Sequence, residues 1–179
     1  MSRIGRQPIE LAGGVSADIA GSKVTVRGPK GQLDFQLRDG ITVTQDGNVL
    51  EVHRATDKRE HKSLHGTSRS VIQNMVIGVT QGYEKKMEMV GVGYKAEVKG
   101  RDLSLAVGFP KPKTIPIPSG VEVAVDKQTV ITITGINKEA LGQFAAAVRR
   151  VRPPEPYKGK GIKFVGEQIL RKVGKTTGK

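Results

Sequence analysis

The residue types best placed to do chemistry stand together late in the chain, in Pro153-Pro154-Glu155-Pro156-Tyr157-Lys158-Gly159-Lys160-Gly161-Ile162. Two ammonium groups sit on a backbone that glycine has stripped of Cβ bulk, so this stretch can lie close against another surface. Lysines presented that way suit phosphate oxygens, and Tyr157 can stack or hydrogen-bond beside them. The prolines end the alanine- and arginine-rich helical run before the motif, because they cannot carry a helix on. The chemistry expected is recognition of a polyanion; the competing reading is a solvated basic turn.

Charge distribution favours the polyanion. The 179-residue chain carries a net charge of +13. From Arg149 onward it holds Arg149, Arg150, Arg152, Lys158, Lys160, Lys163, Arg171, Lys172, Lys175 and Lys179 against Glu155 and Glu167. A one-sign block repels itself unless a partner neutralises it. Structured RNA is the expected partner, since its backbone accepts arginine and lysine without base reading, and a chain with 4% aromatics is poorly equipped to stack on unpaired bases. Arg27 and Lys30 flank one glycine turn, Lys95, Lys99 and Arg101 surround a second, and Lys111 and Lys113 lie in a proline-rich stretch. Each of these smaller clusters reads equally well as solvated surface.

Other chemistries lack their parts. Gly91-Val92-Gly93-Tyr94-Lys95-Ala96 has the letters of a dinucleotide loop, but alternation continues where a helix would have to start. Gly174-Lys175-Thr176 lacks the first glycine of a phosphate loop, and Gly66-Thr67-Ser68-Arg69-Ser70 lacks the second glycine of a nucleophile elbow. His61 and His65 share helical spacing without a third metal ligand nearby, so they are expected to be solvated or to face phosphate. No carboxylate pair is arranged for acid–base work. Neither a cofactor nor a metal is expected, nor is a small-molecule substrate. Cysteine is absent, which permits a reducing compartment, and there is neither an apolar signal core nor a run long enough to span a bilayer. No membrane partner is expected, because no amphipathic helix joins the charge to bulky apolar residues.

The elements that must position the motif come from periodicity. Arg3 and Arg6 belong to a basic arm, expected to be extended and closed by Pro8. Alternation then marks strands around Val24 and Val26, Leu33 to Leu37, Ile41 and Val43, and Val49 to His53. Asp57 with Glu60 resembles a capping box opening a helix, with Leu64, Ser68, Val71, Ile72, Met75, Val76 and Val79 on one face and Gly78 and Gly82 at its end. The pattern then recurs. Leu103, Leu105 and Val107 repeat Leu33, Phe35 and Leu37, while Val121 and Val123 repeat Ile41 and Val43 after the insertion Phe109–Pro118. Asn137 repeats Asp57 as N-cap, and Leu141, Phe144, Ala145 and Val148 form a second helical stripe. The expected fold is α+β: two similar domains, each a small, mostly antiparallel β-sheet packed against one α-helix, plus a basic C-terminal tail. The boundaries are 1–81, 82–165 (the principal RNA-binding domain) and 166–179. Ile162 and Phe164 form a short strand onto which Ile169 and Leu170 could pair, and the chain from Val173 on reads as disordered unless a partner orders it.

Glu155–Ile162 resembles the signature of the ribosomal protein L6 family of the large subunit. Met1–Ile9, Val24–Gly31 and Gly91–Ala96 resemble that family too, in its order along the chain. The sequence departs at Ala12-Gly13-Gly14-Val15, where the family usually places a proline. The resemblance implies a structural protein rather than an enzyme, bound to large-subunit ribosomal RNA in the cytoplasmic ribosome. It also implies a place near the base of the acidic-protein stalk, beside neighbouring ribosomal proteins and close to where translational GTPases act. The RNA-binding residues expected are Tyr157, Lys158, Gly159, Lys160, Gly161 and Lys163, Arg149 and Arg152 before them, Arg171, Lys172, Lys175 and Lys179 after them, and Lys95. The alternative is an RNA chaperone or RNA-processing factor using the same basic surface.

Overall fold

The glycine turns at Gly21, Gly28–Gly31, Gly47 and Gly100 each close an antiparallel hairpin, whereas those at Gly40 and Gly120 pass the chain from one sheet to another. The computed structural model describes residues 3–174, and in them thirteen strands and two helices. Two units divide the chain: one runs to Tyr83 and includes Ile136–Lys138, the other comprises Glu84–Gly135 and the chain from Glu139 on.

The first unit contains β1 (Ile9–Glu10), β2 (Ser16–Ala20), β3 (Lys23–Gly28), β4 (Gly31–Gln36), β5 (Ile41–Asp46), β6 (Val49–Arg54) and α1 (Arg59–Thr80). These strands form two antiparallel sheets, ordered β1-β6-β5 and β2-β3-β4, where one sheet was expected. Helix α1 packs against strands of both. Val24, Val26, Ile41, Leu50, Ile72, Val76 and Val79 bury their apolar surface in the shared core. The β3–β4 turn closes the helix end: Lys30 donates its backbone N–H to Val79 O at 3.0 Å, and its ammonium group hydrogen-bonds Gln81 O. A cation on the last carbonyls of a helix satisfies both hydrogen bonding and dipole. Lys30 is therefore engaged within the fold.

Three local expectations change here. Asp57 does not cap α1; Lys58 occupies the N-cap without a side-chain hydrogen bond. The Asp57 carboxylate instead accepts Arg54 Nε at 2.9 Å and Nη2 at 2.7 Å. The Arg54 side chain is only 10% exposed, so a counter-charge there matters more than a cap for solvated amides. Gly78 does not end the helix but lies inside it; Gly82, at φ +77°, stands two residues beyond Thr80. A Cβ on Gly78 would sit 2.1 Å from Ile136 O, so that glycine permits a close backbone approach. Residues 3–7 make a turn rather than an extended arm, with Gln7 N–H donating to Ile4 O at 3.2 Å. Arg69 pins this segment by donating to Gln7 O and Pro8 O at 3.1 and 2.9 Å.

The second unit contains, apart from the first residues of β7 and α2, β7 (Tyr83–Val90), β8 (Lys95–Lys99), β9 (Asp102–Ala106), β10 (Lys113–Pro116), β11 (Val121–Asp126), β12 (Val130–Gly135), α2 (Lys138–Val151) and β13 (Gly161–Phe164). Its sheets are ordered β11-β12-β7-β13 and β10-β9-β8. Matched strand for strand, β7, β12 and β11 repeat β1, β6 and β5, and the β8–β9 hairpin repeats β3–β4. The third strand of the smaller sheet changes sides. In the first unit β2 flanks β3; in the second, the proline-rich insertion supplies β10 on the free edge of β9, with Lys113 opposite Leu105 and Pro116 opposite Asp102. Strand β13 has no counterpart in the first unit. It pairs antiparallel with β7, Gly161 opposite Val90 and Phe164 opposite Met87. Met87, Leu103, Leu105, Ile131, Ile133, Leu141, Phe144, Val148 and Ile162 are buried. Ile169 and Leu170 do not pair onto β13. The chain turns at Glu167, whose N–H reaches Phe164 O at 3.0 Å, and returns so that Lys172 N–H donates to Pro156 O at 2.8 Å.

Candidate nucleic-acid interface

Helix α2 ends at Val151, and the motif begins where Pro153 and Pro154 remove consecutive N–H donors. The Arg152 carbonyl accepts Ile162 N–H at 2.8 Å, tying the entry of the loop to β13. Between them Glu155 folds the turn. Its backbone N–H donates to Lys160 O at 2.9 Å, and its carbonyl accepts Gly159 N–H at 3.1 Å. Its carboxylate accepts the N–H groups of Tyr157, Lys158 and Lys160 at 2.9, 2.6 and 3.3 Å. These donors, Tyr157 first, hold the carboxyl below the usual glutamate value. The acid points at backbone amides, while Tyr157, Lys158 and Lys160 point outward and are exposed. Gly161 makes this closure possible: at φ +143° its backbone packs where a Cβ would lie 2.6 Å from both Pro153 O and Pro154 Cα.

The basic residues expected to meet RNA fall into two groups. Arg149 grips Glu167, with Nε donating to Oε2 at 3.1 Å and Nη2 to Oε1. Hydrogen bonding within this pair moves both groups, the guanidinium up and the carboxyl down. Glu167 Oε2 also accepts Phe164 N–H at 3.0 Å, so the pair braces the turn after β13. Lys163 likewise pairs with Glu88 at 2.6 Å across the β13–β7 ladder. In contrast, Lys158 and Lys160 form no ion pair with a carboxylate among the described residues. The Arg171 guanidinium lies beside Gly159, at 3.5 Å from where a Cβ would be. Lys172 is exposed with its backbone tied to Pro156, and Lys95 is exposed at the start of β8. Arg152 stands over the Phe109 ring at 5.4 Å. Lys175 and Lys179 lie outside the described residues. Backbone bonds thus hold Arg152 and Lys172 to the loop, and the Arg171 guanidinium lies against Gly159, whereas Lys95 stands on a separate strand, β8.

Comparison with known proteins gives this arrangement its family. The model of the family described as Ribosomal protein L6 matches residues 12–82 and again 90–165. The chain belongs to the ribosomal protein L6 family. The two matches fall one on each repeat, which supports internal duplication. The chain is 51% identical over its whole length to Large ribosomal subunit protein uL6 of Carboxydothermus hydrogenoformans, covering 98% of that protein. It is 53% identical to the protein of the same name from Natranaerobius thermophilus, over 98% of this chain and 99% of the other. With that of Syntrophomonas wolfei it shares 50% identity across both full lengths.

An L6-family protein is a structural ribosomal protein, not an enzyme, and the residues with catalytic-looking spacing have other occupations here. His65 is buried, contrary to the expectation of a solvated or phosphate-facing side chain. Arg54 Nη1 lies 2.8 Å from its Nδ1; because arginine can only donate, Nδ1 accepts and Nε2 donates to Val52 O at 2.8 Å. Helical spacing cannot reveal this, since both partners come from a strand. His61 hydrogen-bonds Thr56 Oγ1 at 2.8 Å. Gly91–Tyr94 is the turn before β8, so strand follows it rather than helix. Among the described residues there is no group of three or more His, Cys, Asp or Glu fit to hold a metal, and no helix long and apolar enough to cross a membrane. Two residues outside the expected set matter here: Glu155, which organises the loop, and Phe109, which meets Arg152. For Glu155 a signal was present, an acid among donor-less prolines followed by free amides.

Proposed function

We propose that this chain is a structural constituent of the large ribosomal subunit that holds folded large-subunit ribosomal RNA through its second unit and tail. The observation that carries this reading is the loop folded around Glu155. Its one carboxylate is turned inward onto amides, and Lys158 and Lys160 are presented without acidic partners among the described residues. Phosphate oxygens complete such a surface, because ammonium groups anchored on an ordered backbone bind them with little further loss of freedom. Lys158, Lys160, Arg171 and Lys172 contact phosphates, Tyr157 stacks or donates beside them, and Lys175 and Lys179 extend the contact along the tail. Arg149 and Lys163, each shared with a carboxylate, brace the loop and add field. Lys95 adds a peripheral contact. Gly159 and Gly161 are buried, so they serve RNA binding indirectly, by letting the loop close on itself and on Arg171.

The relatives are named as large-subunit proteins, and that name supports the cytoplasmic ribosome as the place of action. The family resemblance adds a position near the stalk base and the translational GTPase site, beside neighbouring ribosomal proteins. The test is the salt dependence of binding to folded large-subunit ribosomal RNA. Replacing Lys158 and Lys160 with glutamine lowers affinity and reduces the log–log salt slope by about one for each phosphate no longer neutralised. Lys163→Gln changes the slope less, because Glu88 already neutralises part of that charge. An unchanged slope in the Lys158/Lys160 double variant removes the loop from the interface.

A further inference from the structure

The insertion Phe109–Pro118 is the part of the second unit that breaks the repeat, and it builds something the first unit lacks. Phe109 is an exposed aromatic, 36% accessible, in a chain with few aromatics. Two cations meet its ring: Arg152 Cζ at 5.4 Å from the centroid and Lys113 Nζ at 5.9 Å. Both distances are within about 6 Å, where a ring quadrupole attracts a cation. Neither cation forms an ion pair with a carboxylate among the described residues. A carboxylate orders a cation and cancels its charge, as Glu167 does for Arg149. A phenyl ring orders the cation and leaves the full charge available to a partner.

From this contrast we infer that Phe109, Lys113 and Arg152 form a second phosphate-binding locus for the backbone of an RNA, with Phe109 as its positioning residue. The inference rests on the RNA-binding reading above and extends it to a new element. The locus is mechanically continuous with the loop: the Arg152 carbonyl is bonded to Ile162 N, and Gly161 packs against Pro153 and Pro154. Pro110 and Pro112 stiffen the insertion around Lys111 and Lys113. A protein strand adding to the edge is disfavoured, because β10 lies at the sheet edge and carries Lys113 and Pro116, the residue types that blunt strand addition. A polyanionic backbone needs no such edge.

The experiment titrates the full chain with large-subunit ribosomal RNA, transcribed in vitro and folded in magnesium, at several salt concentrations. The variants are Lys113→Gln, Arg152→Gln, Phe109→Leu, Phe109→Tyr and the double glutamine variant at 158 and 160. Lys113→Gln and Arg152→Gln each reduce the salt slope by about one. Phe109→Leu weakens binding about threefold with the slope unchanged, since both charges remain but are less ordered. Phe109→Tyr keeps the ring and retains parent affinity, which separates ring–cation positioning from loss of apolar packing. The inference is overturned if Lys113→Gln and Phe109→Leu bind like the parent while the 158/160 variant is weakened; the loop then stands alone. If the 158/160 variant is also unchanged, the RNA-binding reading itself fails.

Discussion

At the scale of the residue, Glu155 makes a prediction that opposes simple electrostatics. Glu155→Gln removes a negative charge from the basic end, so charge counting forecasts tighter RNA binding. The geometry forecasts the reverse, because a neutral amide cannot hold the N–H groups of Tyr157, Lys158 and Lys160 as the carboxylate does. The expected result is several-fold weaker binding together with faster amide hydrogen exchange at those positions. Tighter binding with unchanged exchange refutes the organising role. The same carboxylate gives the loop a pH dependence of definite sign. Its folded value lies below the unfolded one near 4.5, so the order it confers is complete above that pH and is lost as pH falls through the lower folded value. NMR chemical shifts of residues 157–160 should therefore move in acid before the β-sheet signals do.

At the scale of the element, two helical glycines that look alike in sequence are predicted to respond oppositely to alanine. Gly142 of α2 faces open space at its Cβ position, so Gly142→Ala stabilises by about 1 kcal/mol through helix propensity alone. Gly78 of α1 faces Ile136 O at 2.1 Å, and the neighbour is backbone, which cannot swing aside. Gly78→Ala should destabilise by about 1–3 kcal/mol despite the better propensity. Equilibrium denaturation of the two variants checks both signs, and a stabilised Gly78→Ala would show that Ile136 does not pack there. This pair also marks the limit of what the sequence discloses. Strands β3 to β6, β9, β11 and both helices were legible because alternation and glycine turns are local signals, and the repeat was legible because it preserves them. Strand β10 was hidden because prolines speak against a strand in general and are tolerated at an edge. The second sheet in each unit, the diversion of Asp57 to Arg54 and the burial of His65 depend on which strand lies beside which helix. Periodicity within one segment does not carry that information. At the candidate interface, basic residues were visible, but their division into carboxylate-paired braces and unpaired contacts was not, because Glu88 and Glu167 meet Lys163 and Arg149 only through the β13–β7 ladder and the turn after it.

At the scale of the whole molecule, duplication has left two units of unequal charge. From Glu84 to the C-terminus the chain holds 19 of its 30 basic residues and 9 of its 17 acidic ones, an excess of ten out of the net +13. Every element that the second unit adds to the shared plan, β10, β13 and the tail, brings basic residues with it. Each unit also has its own buried set, which is the requirement for folding alone. A fragment spanning residues 82–179 should therefore give a dispersed NMR spectrum and unfold cooperatively. It should also retain most of the intact chain's salt slope on folded large-subunit ribosomal RNA, because counterion release follows the phosphates neutralised and not the mass of the protein. A fragment ending at Tyr83 should fold and bind weakly, with a shallow slope. If the two slopes were reversed, the duplicated scaffold rather than the elements added to its second copy would be making the contacts.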